Sequence, residues 1–250
     1  MGTLKVRNGG SWVTISNGTA FKVRNGGSWV NPSKVKIRNG GAWVDVWAKS
    51  DPLTLAFTCN ASQGWRNNAW RTDTKVRFGA FLDFGDNLTV LEFSADSTTG
   101  GHTSTSLAEA LAVRPNVSSA TLYLYRKSGY GSSTISGSTS ETLLVGQLNK
   151  ANGTSMSSYN AGSYVQTTNM QTVAASNLQS WAQSASKVLT LPSSGLTDFI
   201  THVSTKQMWV SEKSSSWIAS EGGTSSSDIY SVCDGSADTN KPVLTVTLDY

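Results

Sequence analysis

A nine-residue motif occurs three times in the first fifty residues, and it restricts the fold more than any other feature of the chain. The copies read KVRNGGSWV at 5–13, KVRNGGSWV at 22–30 and KIRNGGAWV at 36–44. In each copy polar and apolar residues alternate before Asn-Gly-Gly, and asparagine and glycine tolerate the positive φ angles of tight turns. Each copy therefore predicts a short β-hairpin with a tryptophan on its second strand.

The three hairpins are expected to associate, because an isolated two-stranded hairpin is only marginally stable in water. Trp12, Trp29 and Trp43 are the largest side chains of the repeats, and we expect them to close a shared core and to serve assembly. The copies are spaced by 17 and then 14 residues, which favours a short hairpin array over a strict solenoid. Residues 1–50 are therefore predicted to be an attachment segment. Since the hairpins bury little by themselves, we expect a homo-oligomer, with a trimer favoured.

Charge is distributed unevenly along the chain. Residues 1–50 contain eight lysines and arginines and one acidic residue, a net charge of +7, whereas the whole chain carries +4. A basic segment can bind nucleic acid or an anionic surface. The cations here recur at fixed positions of the repeat, so we attribute them to the strand pattern and predict no nucleic-acid partner.

Residues 53–250 alternate short apolar runs with segments rich in Gly, Ser, Thr and Asn, which is typical of an all-β domain. Two short helices are predicted at 104–111 and 196–203, the second because its apolar residues recur with helical spacing. The predicted fold is an antiparallel jelly-roll β-sandwich preceded by the three hairpin repeats. Ten strands are predicted, at 53–59, 75–84, 88–94, 120–125, 141–148, 171–174, 187–191, 208–212, 228–232 and 243–248.

Two cysteines, Cys59 and Cys233, lie near the two ends of this larger domain. A disulfide between a first and a last strand is one alternative, and two buried free thiols are the favoured one. The N-terminal MGTLKVRNGG has no apolar core of a signal peptide, so we expect synthesis in the cytoplasm without Sec export. No stretch has the length and apolarity of a membrane span, and no membrane partner is predicted.

The sequence contains no motif of a known catalytic class, such as Gly-x-Ser-x-Gly, His-Glu-x-x-His or a phosphate-binding loop. A glycosidase needs two carboxylates at a set separation, and Asp83 with Asp86 or Glu92 with Asp96 could supply them. Carboxylates are common at turns and strand edges, however. We therefore predict a protein that is not an enzyme, with a glycan depolymerase as the minor alternative.

Residues 64–71, GWRNNAWR, have the composition of a carbohydrate-binding loop. Sugars stack their C–H faces on aromatic rings, while asparagine and arginine hydrogen-bond the hydroxyls. Because binding residues usually lie in loops on a rigid scaffold, we predict a carbohydrate site here. The alternative is that either tryptophan completes the core. The predicted site comprises Trp65, Arg66, Asn67, Asn68, Trp70 and Arg71.

Asp234, Asp238 and Asn240 offer the oxygen ligands that Ca²⁺ prefers, although a plain Asx-rich turn is the favoured interpretation. His102 and His202 have no zinc-like spacing with the cysteines. The sequence therefore predicts no cofactor and no metal site, with Ca²⁺ as the open alternative.

Segments of the larger domain resemble the disaggregatase-related (DNRLRE-type) jelly-roll domains, which are similar to carbohydrate-binding modules. They are VSSATLYLY at 117–125, SW at 180–181 with VLTL at 188–191, and NKPVLTVT at 240–247. The repeat VRNGGSWV resembles segments of minor tail proteins of phages that infect actinobacteria.

Together these resemblances imply a structural protein of a phage tail tip that binds host cell-surface carbohydrate. The implied location is the virion tail, and the implied partners are other tail proteins and the host cell-wall polysaccharide. Two alternatives remain open, a purely structural tail protein without a ligand and a bacterial surface carbohydrate-binding module.

Overall fold

A computed structural model gives the structure of the chain. It describes residues 4–8, 10–15, 22–30, 32, 34–48, 52–66, 69–71, 73–81, 85–93, 106–129, 134–135, 143–153, 171–173, 181–211 and 230–249. The chain divides into two compact units, one formed by residues 1–53 with 249–250 and the other by residues 54–248.

Each motif copy forms a two-stranded antiparallel sheet of its own. The strands are β1 (Leu4–Asn8), β2 (Ser11–Ile15), β3 (Val23–Asn25), β4 (Ser28–Val30), β5 (Lys34–Asn39) and β6 (Ala42–Ala48). In the third copy the turn residues Gly40 and Gly41 have φ angles of 56° and 90°, which side-chain-bearing residues rarely adopt. The structure therefore contains the hairpin of each copy, whereas the association of the hairpins into an array stays a prediction.

The described residues after 52 form fourteen further strands and two helices. The strands are β7 (Leu53–Thr58), β8 (Ala61–Arg66), β9 (Ala69–Trp70), β10 (Val76–Phe81), β11 (Gly85–Glu92), β12 (Asn116–Arg126), β13 (Thr134–Ile135), β14 (Leu143–Ala151), β15 (Gln171–Val173), β16 (Trp181–Ala182), β17 (Ala185–Thr190), β18 (Lys206–Ser211), β19 (Tyr230–Cys233) and β20 (Val243–Asp249). The helices are α1 (Leu107–Val113) and α2 (Leu196–Val203).

Twelve of these strands form one hydrogen-bonded network. Nine of them follow one another in the order β15-β14-β18-β11-β10-β19-β12-β20-β7. The network branches, because β17 also pairs with β12 and β8 pairs with both β11 and β9. Strand β11 pairs with β10 at its start and lies between β8 and β18 further along. The mostly antiparallel, all-β architecture confirms the predicted sandwich class.

Burial along the strands follows two patterns. In β20 buried and half-buried residues alternate, so Leu244, Val246 and Leu248 face the core on one side only. The first six residues of β14 and the last five of β18 are all buried, as in strands that are covered on both faces. The core is therefore deepest around the β14–β18 pair.

Both predicted helices are present. Helix α1 begins at a capping box, in which the Ser106 hydroxyl accepts from the Glu109 N–H at 3.2 Å and the Glu109 carboxylate accepts from the Ser106 N–H at 3.1 Å. This cap sets the start at residue 107 instead of the predicted 104. Helix α2 has the predicted bounds and buries its apolar face, Leu196, Phe199, Ile200 and Val203. Neither helix of the described residues is long and apolar enough to cross a membrane.

Candidate functional site

The predicted carbohydrate loop is a β-hairpin in the structure. Strand β8 pairs along β11 and then with β9, which places Trp65 opposite both Leu88 and Trp70. Sequence reasoning did not predict β8 because its residues, ASQGWR, are largely polar and include a glycine. The strand forms because β11 offers an edge of matching length with which β8 can pair. This pairing is a long-range contact that the local sequence does not indicate.

Trp65 is only 3% exposed, so its ring is not available to stack on a sugar. It packs in a hydrophobic cluster with Leu88, Val90, Leu144, Leu148 and Trp209. The prediction that Trp65 binds carbohydrate is therefore wrong, and the alternative that this tryptophan completes the core is correct.

Two further residues of the predicted site, Trp70 and Arg71, are described, and neither is fully exposed. Trp70 is half-buried and packs against the same cluster. Arg71 is half-buried, and its N–H donates to the Gly64 carbonyl at 2.8 Å, which closes the hairpin. The Arg66 side chain and the residues Asn67 and Asn68 lie outside the described parts of the structure.

Trp209 shows how tightly this cluster is packed. Its ring lies over Gly146 on the neighbouring strand, and a Cβ atom at residue 146 would come within 2.1 Å of it. The indole N–H groups of Trp65 and Trp209 are both buried and have no hydrogen-bond partner among the residues that the structure describes. Burying such a donor costs free energy, which the packing of the two rings must offset.

The predicted Ca²⁺ ligands form a turn that is organised by a lysine. The Lys127 ammonium lies 3.0 Å from Asp234 and 2.6 Å from Asp238. Asp234 also accepts from the Asn240 backbone N–H at 3.2 Å. Partial burial raises the pKa of Asp238, but the hydrogen bonds from Lys127 and the Gly235 N–H and the nearby lysine charges together outweigh it, so the pKa is lowered overall. Since Lys127 already pairs with both carboxylates, and Asp234 also bonds to Asn240, the favoured Asx-rich turn describes the residues better than a metal site.

No group of three or more potential metal ligands occurs in the part of the chain that the structure describes. His202 bonds to the Leu148 carbonyl at 3.0 Å, and burial lowers its pKa. His102 lies outside the described residues.

Glu92, one of the carboxylates proposed for a glycosidase pair, is a buried structural acceptor. It accepts hydrogen bonds from Asn60 at 3.0 Å, from the Gly153 N–H at 2.8 Å and from Gln207 at 3.1 Å. These donors come from three separate parts of the larger domain, so Glu92 ties them together. Asp83 and Asp96 lie outside the described residues, as does the side chain of Asp86.

Both cysteines are buried free thiols, as favoured from the sequence. Burial raises the pKa of Cys59 to about 12, and its thiol donates to the Ala61 carbonyl at 3.0 Å. Burial also raises the pKa of Cys233. Neither group has the lowered pKa of a reactive thiol.

The repeat hairpins place tryptophan on the face opposite the valines. In the second copy Val23 pairs with Val30 and Arg24 pairs with Trp29, and in the third copy Arg38 pairs with Trp43. Because side chains alternate along a strand, the paired arginine and tryptophan lie on one face and the valines on the other. The same register in the first copy pairs Arg7 with Trp12, although these two side chains lie outside the description.

Trp29 and Trp43 are each 67% exposed, and Arg24 and Arg38 are exposed beside them. Within a single chain Trp29 and Trp43 do not close a shared core, because a two-stranded ribbon has no second layer to cover this face. Their packing between copies of the chain stays a prediction. The arginine partners were missed, although the two-residue Gly-Gly turn already fixes the register that pairs them.

Comparison with known proteins gives no match, either to a protein-family model or to a curated protein.

Proposed function

We propose that this chain is a non-enzymatic structural protein of a phage tail tip that attaches to carbohydrate on the host cell surface. The observation that carries the proposal is the exposure of Trp29 and Trp43, each with an arginine directly opposite in the hairpin register. Exposed tryptophan and arginine are the residues that most often dominate contact surfaces. The resemblance of the repeat to phage minor tail proteins supplies the biological setting.

In this proposal the repeat segment is the contact surface and the larger domain is a rigid scaffold. Three of the tryptophans that the structure describes in the larger domain, Trp65, Trp181 and Trp209, are buried. Its carboxylates Glu92 and Asp234 are engaged in structural hydrogen bonds. These commitments favour a binding or assembly role over catalysis.

A purely structural tail protein without a ligand is the second candidate. It is favoured by the burial of Trp65, which removes the aromatic platform predicted in the larger domain. In that case the exposed face of the repeat segment contacts other tail proteins or further copies of this chain, for which a trimer is the expected arrangement.

Gold-labelled antibodies against the full-length protein, applied to intact phage particles, test the proposal. We expect label at the tail tip, and adsorption of the purified fluorescent protein to host cells without release of reducing sugar ends. Absence of label from the tail would refute the virion assignment, and release of reducing ends would refute the absence of catalysis. Label at the tail without adsorption to cells would favour the second candidate.

A further inference from the structure

The exposed face of the second and third hairpins combines aromatic rings with positive charge. We call it the basic–aromatic face and define it by Lys22, Arg24 and Trp29 in the second hairpin and by Lys36, Arg38 and Trp43 in the third. The lysine precedes the arginine by two residues, so both lie on the same side of the strand, and the tryptophan is opposite the arginine. All six side chains are exposed.

The indole rings on this face are open to solvent. A guanidinium that stacked fully over its cross-strand tryptophan would cover much of the ring, but Trp29 and Trp43 each retain 67% of their accessible surface. Each ring therefore offers an apolar face to a ligand, with a cation at the directly opposite strand position. In an antiparallel pair such positions are about 4.5–5.5 Å apart, roughly the width of one sugar ring.

The charge of the segment selects an anionic ligand. Residues 1–50 carry a net charge of +7, and the cations recur with the tryptophans in every copy. Arginine presents a planar fork of donors that matches a carboxylate, while a pyranose ring stacks its C–H face on an indole. A sugar that carries its carboxylate on the ring meets both requirements with a single unit.

We propose that the basic–aromatic face binds an acidic polysaccharide whose sugar rings carry carboxylate groups, a polymer of uronic acids. The second and third hairpins carry the same pair of ring and cation, so a polysaccharide chain that contacted both would bind with the gain in affinity of a multivalent ligand. The inference rests on the proposed attachment function and names the class of carbohydrate that this surface recognises.

Single-stranded nucleic acid also stacks on exposed aromatic residues, so it is one of the probes in the test below. In the third hairpin the residue opposite Lys36 in the register is Asp45, and a carboxylate there repels either polyanion, so it does not distinguish between them. We favour the uronic-acid polymer because it is a carbohydrate, as the proposed attachment function requires.

Calorimetric titration of the full-length protein tests the proposal with three probes at one low ionic strength. The probes are polygalacturonate, neutral dextran and oligothymidylate. We expect polygalacturonate to bind at least tenfold more tightly than dextran or oligothymidylate at this ionic strength. In a second titration at higher salt, the affinity for polygalacturonate should fall. Equal affinity for polygalacturonate and dextran would overturn the proposal, and so would tighter binding of oligothymidylate.

Paired variants locate the site. We expect Trp29→Ala with Trp43→Ala to weaken polygalacturonate binding at least tenfold, and Val188→Ala, which trims an exposed apolar side chain of the larger domain, to leave it unchanged. Arg24→Gln with Arg38→Gln should weaken binding to a similar extent and reduce its salt dependence. Lys187→Gln with Lys241→Gln removes the same charge from the larger domain and should have little effect. Unchanged binding in the arginine variant would overturn the proposal. This outcome is decisive even if the tryptophan variant loses binding because its assembly has changed.

The two proposals fail in different ways. If polygalacturonate binds and the arginine variant loses this binding, but the antibody does not label the tail, the phage function alone is refuted. Label at the tail and adsorption to cells, without preference for polygalacturonate, refutes the uronic-acid specificity alone.

Discussion

Trp43 in the repeat segment and Trp209 in the larger domain both lie on β-strands with a partner strand beside them. Trp43 is two-thirds exposed on a two-stranded ribbon, whereas Trp209 is fully buried over Gly146. The residue type and the local secondary structure are the same in both places. The difference comes from the presence of further strands and a covered face in the larger domain, which the ribbon lacks.

Trp209 thus packs in the core of the larger domain, whereas Trp43 is exposed, as the contact role that we propose for the repeat segment requires. The same contrast applies to charged residues. Glu92 and Lys127 of the larger domain are held by several hydrogen bonds, whereas the repeat arginines Arg24 and Arg38 are exposed.

Trp209→Ala should lower the free energy of unfolding by about 3–5 kcal/mol, because it leaves a cavity at the deepest part of the core. Trp43→Ala removes a ring that is mostly in water and should change the free energy by less than about 0.5 kcal/mol. Urea unfolding followed by circular dichroism measures both. Similar losses in the two variants would mean that the repeat tryptophans are structural after all.

Glu92→Ala should lower the free energy of unfolding by about 3 kcal/mol, because it leaves the buried donors of Asn60, Gly153 and Gln207 without this acceptor. Glu92→Gln keeps an acceptor oxygen and should cost less. The matched change in the repeat segment, Lys22→Gln, affects an exposed charge and should be nearly neutral. A neutral Glu92→Ala variant would show that the larger domain does not depend on this buried carboxylate.

Lys127→Met should cost about 1–2 kcal/mol at neutral pH, since the ammonium is partly buried between Asp234 and Asp238. The pKa of Asp238 is lowered in the folded protein, so its contribution to stability is complete above its unfolded pKa and is lost as the pH falls through the folded value. The pKa of Lys127 is raised, chiefly by the hydrogen bond to Asp238, so that contribution is lost only at strongly alkaline pH.

The stability difference between wild type and Lys127→Met should therefore be largest near neutral pH and should shrink on acidification. Thermal unfolding between pH 3 and pH 8 measures this difference. Lys5→Met, which removes an exposed cation of the repeat segment, is the control and should show no such pH dependence. A difference that stays constant from pH 8 to pH 3 would contradict the ion-pair assignment.

Cys59 and Cys233 should resist thiol reagents at pH 8 in the folded protein, because both are buried and burial raises the pKa of each. Both should react once the protein is unfolded in urea, with or without prior reduction. Ser28→Cys, which places a thiol on the exposed β4 strand, should react rapidly in the folded state. Mass spectrometry of the labelled protein distinguishes these sites, and rapid labelling of native Cys59 would contradict its burial.

Much of the fold could be predicted from the sequence because its signals are local. The Asn-Gly-Gly turns specify the hairpins, and the spacing of Leu196, Phe199 and Ile200 specifies helix α2 with its observed bounds. Strand β8 could not be predicted, because its polar sequence becomes a strand only through pairing with β11. The predicted carbohydrate site depended on the same segment and was wrong about Trp65 for the same reason.

The all-β class and the three hairpins follow from the sequence, because periodicity and the two-residue turns are local signals. Which tryptophans are buried does not follow from it. Burial depends on whether a second layer covers a face, and that layer is assembled from strands far apart in the chain. Trp65 is therefore part of the core, while Trp29 and Trp43, in a motif that looked equally apolar, are left exposed.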